Sequence, residues 1–150
     1  MSSPCSAVGP EFSSPPGLYA GAPYEYAAVA PEGARLVFAA GACPLDETGA
    51  VVAHGDLKGQ ARAVLDNLRT ALEAAGSSIE QVLKTTVYVA SGDRADLVRV
   101  WQVVEAGFAP ARPPSTLLGV AALGYAGQLV EIEAVALAGP NEVRDSARGA

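Results

Sequence analysis

The sequence is poor in the residues that most often mark a metal or nucleophile site. It has one histidine, His54, and two cysteines, Cys5 and Cys43. One imidazole and two distant thiols make no zinc constellation, so no metal site is expected. Cys5 lies in a loose leader and Cys43 near a predicted strand end, so no disulfide framework is expected. A Ser-His-Asp reading would have to use His54, which lies in a glycine-flanked loop with no nucleophile-elbow motif in sight. His54 reads as solvated. Basic residues are also scarce: ten Lys and Arg stand against sixteen Asp and Glu, a net charge of −6. A nucleic-acid binder usually carries a clustered basic footprint, so this balance argues against RNA or DNA as partner. No apolar run reaches membrane-spanning length, and no basic stretch followed by an apolar core opens the chain. The expectation is a cytoplasmic protein with no membrane partner and no cofactor.

What is present is a core. Half of the 150 residues are hydrophobic, enough for one domain. Residues 1–22 read as a flexible leader, the first 17 being rich in Ser, Pro and Gly without periodicity. Residues 23–140 read as the folded domain and 141–150 as a flexible tail. Tyr24 to Val29 and Arg35 to Ala40 are expected to pair as a hairpin around Pro31-Glu32-Gly33. Asp56 to Ala75 carries the clearest helical stripe, Leu57, Ala61, Val64, Leu65, Leu68 and Leu72, with Asp56 as N-cap and Gly76 past its end. Ser77 to Gln81 resembles a short capped turn, and Val82 to Val89 is a β-branched strand. A second helix runs from about Arg94 to Ala106, with Asp93 in its cap and Leu97, Val100, Trp101 and Val104 on one stripe. Pro110, Pro113 and Pro114 then force an extended loop.

The most informative stretch is Ala109 to Leu137. Two aliphatic runs flank Gly124-Tyr125-Ala126-Gly127 and read as a second pair of strands. Glu131 and Glu133 interrupt the last run at period 2, so both point to one face, opposite Val130, Ile132, Ala134 and Ala136. The order β-β-α-β-α-β-β gives an α+β two-layer domain with two helices on one face of a mixed sheet. The other face is neither plainly polar nor plainly apolar, and a homo-oligomer packed sheet to sheet would cover it.

An ordered set of short motifs resembles the signature of the Rid (YjgF) family of reactive-intermediate, enamine/imine deaminases. The set is Pro23-Tyr24, Ala40-Gly41 with Pro44-Leu45-Asp46, Gln60-Ala61-Arg62, Leu65-Asp66-Asn67-Leu68, Leu72 to Gly76, Lys84 to Val89, and Val130 to Ala134. Together these span about residues 23–138. The resemblance implies the chorismate-mutase-like fold and a homotrimer whose sheets line a central barrel, with small-molecule clefts between subunits. It implies hydrolysis of 2-imino or 2-enamino acids to 2-keto acids and ammonia.

Residue by residue, Glu131 matches the acid thought to position water, and Tyr24 matches the tyrosine after the first Pro. Ser115 falls where the best-known members carry the arginine that grips the substrate carboxylate. Arg112 matches the other arginine of that loop. Ala40, beside Gly41, replaces a serine, and Trp101 replaces a helix asparagine. Cys43 lies by the strand end that forms part of the family cleft. Glu131 and Tyr24 are therefore the catalytic candidates, and Ser115, Arg112, Ala40, Gly41, Cys43 and Trp101 the substrate-binding ones.

Each has a plainer alternative. Glu131 could be satisfied by backbone N–H groups or Lys84, Tyr24 could be an interface aromatic, and Ser115 a strand-entry serine. Arg112 could be an ion-pair or subunit contact, Trp101 core, and Cys43 a buried inert thiol. A neutral hydroxyl at 115 binds a carboxylate more weakly than a bidentate guanidinium would. The reading is a Rid-type enzyme that acts on a small imine, enamine or related carbonyl intermediate of specialised metabolism, but not on ordinary 2-imino acids. A non-catalytic ligand-binding or chaperone-like trimer is the second reading, and an endoribonuclease the third.

Overall fold

A computed structural model describes residues 9–139 of the chain. The expectations for Cys5 and the rest of residues 1–8 of the leader, and for the tail beyond Gly139, lie outside the described residues. In chain order the elements are β1 (Glu11–Ser13), β2 (Ala27–Val29), β3 (Leu36–Ala42), α1 (Leu57–Ala74), a short 3-10 turn (Ile79–Gln81), β4 (Val82–Val89), α2 (Arg94–Phe108), β5 (Ser115–Gly119) and β6 (Val130–Leu137). The main sheet has the order β3-β6-β4-β5. β6 runs antiparallel to both β3 and β4, and β5 lies parallel to β4. The sheet is thus mixed, with α2 as the crossover that a parallel pair requires.

Both helices begin and end where the side chains dictate. The Asp56 carboxylate accepts from the Gly59 N–H, and that of Asp93 from the Ala95 N–H, each satisfying an orphan donor of its first turn. Gly76 has φ +77°, the left-handed conformation that closes α1. The stripe Ala61, Val64, Leu65, Leu68 and Leu72 of α1 is buried with Val100, Val104 and Phe108 of α2 against Val87, Val89, Val130, Ile132, Ala134 and Ala136 of the sheet. Phe108, expected just past α2, is its last residue. Among the described residues no helix is long and apolar enough to cross a membrane.

Three expectations of pairing are corrected. β2 does not fold back on β3; it pairs with β1, so Glu11–Ser13, placed in the leader by its composition, is a strand. β3 pairs instead with β6, nearly a hundred residues on. β5 and β6 are not neighbours either, because β4 stands between them. Turn residues show that the chain bends but not which strand receives it. The choice falls to the pairing that buries both edges of β6, whose residues Val130, Ile132, Ala134, Ala136 and Leu137 are almost wholly enclosed.

Candidate functional site

The sheet register divides the candidate residues into two groups. Tyr88 sits opposite Glu131 and Thr86 opposite Glu133, so these side chains share the face turned away from the helices. Thr85 sits opposite Ser115 and Ala134, on the helix side. Within one chain Glu131 and Ser115 therefore lie on opposite faces of the sheet.

The first group is built around Glu131. β3 carries one extra residue between Ala39 and Ala42 relative to β6, a bulge at Ala40-Gly41 beside the acid. A Cβ placed on Gly41 would lie 1.9 Å from Glu131 Oε1, so the carboxylate occupies the space that only glycine leaves. Glu131 Oε2 accepts from Gln128 Nε2 at 2.9 Å and from the Cys43 thiol at 3.6 Å. Cys43 Sγ also lies 3.5 Å from the Gly41 carbonyl. Burial raises the thiol above its ordinary pKa, and the adjacent Glu131 charge raises it further. Cys43 is thus a protonated donor to the carboxylate at neutral pH, and not an activated nucleophile.

Two side-chain amides, Asn67 and Gln60, fix this group to α1. Asn67 Nδ2 donates to the carbonyls of Cys43 and Leu45 at 2.8 and 3.0 Å, anchoring the end of β3. Gln60, fully buried, donates to the Gly127 carbonyl at 2.9 Å and accepts from the Leu129 N–H at 2.7 Å, fixing the loop that carries Gln128. Gln128 itself is nearly enclosed, and its Oε1 accepts from the Tyr125 N–H at 3.1 Å. Sequence reasoning missed Gln128. The signal was a lone amide between a glycine turn and an apolar strand, where a buried polar group needs partners.

The second group surrounds a cavity of about 470 Å³ lined by Pro23, Tyr24, Val98, Trp101, Ser115, Thr116 and Leu117. The rings of Tyr24 and Trp101 meet edge to face at 6.3 Å and 89°, and Tyr26 meets Tyr24 at 5.9 Å and 71°. Tyr26 is tethered through its hydroxyl to the Tyr19 carbonyl at 2.9 Å. The buried Thr85 hydroxyl donates to Ser115 Oγ at 2.8 Å, which leaves the Ser115 proton available to another acceptor. The Trp101 indole Nε1 is buried and has no hydrogen-bond partner.

Arg112 belongs to neither group. Its guanidinium donates to the Ala22 carbonyl and lies 3.9 Å from the Glu25 carboxylate, while its own carbonyl accepts from the Glu25 N–H. It holds the segment carrying Tyr24 against the loop that enters β5.

The outer sheet face is well supplied with apolar surface. Phe38 is 74% exposed and Leu118 42%, beside Lys84 and the Tyr88–Glu133 hydrogen bond of 2.9 Å. No group of three or more His, Cys, Asp or Glu that could hold a metal ion occurs among the described residues.

Comparison with known proteins gives a consistent result. A family model described as endoribonuclease L-PSP matches residues 17–138. A RutC family protein of Pyrococcus horikoshii is 36% identical over 102 residues, 68% of this chain and 79% of that protein. The mouse protein named 2-iminobutanoate/2-iminopropanoate deaminase is 35% identical over 106 residues, 71% of this chain and 76% of its own. Among solved structures, a Rid-family protein of unknown function from Yersinia pestis superposes with a TM-score of 0.80 at 28% identity, covering 87% of this chain and 99% of that one.

Proposed function

The chain belongs to the Rid (YjgF) family, whose model is described as endoribonuclease L-PSP, and from that premise we propose that it hydrolyses a small imine or enamine in a cleft shared between copies. The carrying observation is the Glu131 carboxylate, oriented by Gln128 and Cys43 against Gly41. Imine hydrolysis adds water across C=N. Glu131 takes a proton from the attacking water as the C–O bond forms and the C=N π pair moves to nitrogen, and it gives that proton to nitrogen to leave a carbinolamine. As the C–N bond then breaks, Glu131 passes the carbinolamine hydroxyl proton to the departing nitrogen. The products are a carbonyl compound and ammonia. Gln128 and Cys43 both address Oε2, so Oε1, facing the Gly41 backbone, is the oxygen placed to work. Tyr24 and Ser115 would bind the rest of the substrate, and Ala40 would line the cleft next to the bulge.

Glu131 and Ser115 lie on opposite faces in one chain, so a site that uses both needs a second copy. Apolar Phe38 and Leu118 on the outer face favour burying that face in an oligomer, and a homotrimer is our reading. A sedimentation measurement tests it, together with a mixing experiment. Chains carrying Glu131→Ala and chains carrying Tyr24→Ala are each expected to be inactive and to regain part of the activity when reassembled together. Recovery of nothing would place the whole site in one chain.

For the reaction itself, imines are generated by an amino-acid oxidase and their decay is followed with and without the protein. Turnover of a neutral imine that is lost in Glu131→Ala supports the reading. Turnover that survives that substitution overturns the role of Glu131, and no turnover of any imine leaves a ligand-binding trimer as the function.

A further inference from the structure

We propose that the cavity between Tyr24, Trp101 and Ser115 selects an uncharged planar group, an aromatic ring or extended unsaturated system bearing a hydrogen-bond acceptor. It would thereby exclude the carboxylate of a 2-imino acid. This inference rests on the function above only for locating the reacting bond.

The lining of the cavity decides its preference. Pro23, Tyr24, Val98, Trp101 and Leu117 offer aliphatic and aromatic surface, and among the described lining residues none is charged. The nearest cations are otherwise engaged. Arg112 is committed to Ala22 and Glu25. Lys84 reaches the Thr116 hydroxyl at 3.5 Å from the far face of the sheet. A carboxylate entering here would lose its hydration without gaining a cation, which is strongly unfavourable. A neutral ring loses little on entry and gains contact with Tyr24 and Trp101. The polar lining is neutral as well: the Ser115 hydroxyl, whose proton is left free by Thr85, together with the hydroxyl-bearing Tyr24 and Thr116. A free, neutral Ser115 hydroxyl in an apolar cavity suits one acceptor atom on an uncharged ligand, such as an amide or ketone oxygen or an imine nitrogen. A cavity of about 470 Å³ is large enough for a ring and its substituent.

Trp101 is the only tryptophan in the chain, so its fluorescence reports on this cavity alone. The probes are benzamide and benzoate, which share a ring and differ in charge. Benzamide is expected to change Trp101 emission saturably, with benzoate at least tenfold weaker. Ser115→Arg is expected to reverse the order. Trp101→Ala, followed by calorimetry, is expected to weaken benzamide about tenfold through loss of the ring contact. Benzoate binding as tightly as benzamide, or neither probe binding, overturns the proposal. Glu131→Gln separates this from the catalytic reading, since it abolishes turnover while benzamide binding remains. Benzamide binding without imine hydrolysis would sink the catalytic reading and keep this one.

Discussion

Replacing Gly41 by alanine tests the Glu131 geometry most directly. The added Cβ would lie 1.9 Å from Glu131 Oε1, 2.6 Å from its Cδ and 2.9 Å from its Cγ. Ordinary carbon–heavy-atom contact is about 3.5 Å, so the carboxylate oxygen must retreat by about 1.5 Å. What it meets is the end of a side chain and not backbone, so the fold is expected to survive and the carboxylate to swing away. The move breaks the Gln128–Glu131 hydrogen bond, a charged contact whose loss costs at most about 1.5–3 kcal/mol. A displacement of this size at a reacting group lowers turnover about a hundredfold.

A second readout does not depend on activity. The Glu131 charge and hydrogen bond help raise the Cys43 thiol pKa, after burial as the larger cause. When the carboxylate moves off, that pKa falls and thiolate forms at lower pH. In a Cys5→Ser background, the rate of Cys43 reaction with a disulfide reagent, measured across pH, is expected to shift to lower pH in Gly41→Ala. An unchanged thiol profile with unchanged turnover would show that the carboxylate does not depend on the space at Gly41, and the site geometry argued above would be wrong.

Other perturbations separate scaffold from site. Leu68, fully buried on the inner face of α1, is expected to cost about 2–5 kcal/mol when replaced by alanine, read by denaturant unfolding. Asp56→Ala removes the cap to Gly59 and is expected to cost about 1 kcal/mol in the same assay. The Asp46 carboxyl is held below its ordinary pKa, first by the Thr48 hydroxyl and then by the Ala50 N–H. Its stabilising contribution is therefore present above the ordinary Asp range near pH 4 and is lost as pH falls through the lower folded value. The Thr48 and Ala50 amide resonances, followed by NMR on acidification, should move only on the acid side of that range. Tyr88 is raised chiefly by its hydrogen bond to Glu133, so Glu133→Gln should bring phenolate absorbance in at lower pH.

The sequence by itself determined the local structure. The periodic stripe between Asp56 and Gly76 specifies α1 because a buried helix face needs apolar residues every three to four positions, and the caps close orphan backbone groups. The β-branched run from Val82 to Val89 specifies β4 in the same way, and the period-2 acids of β6 place Glu131 opposite a buried face. The ordered motifs were enough to identify the family.

Tertiary structure alone decided what meets what. Strand partners are chosen by long-range burial, so β3 and β5 went to neighbours that no turn residue announces. The support of Glu131 by Gln128, Cys43 and the space at Gly41 joins three stretches of chain. The commitment of Arg112 to Glu25, and its absence from the cavity, likewise depends on two segments distant in sequence. A side chain's chemistry is set by the donors, charges and free space around it, and packing supplies those from elsewhere in the chain.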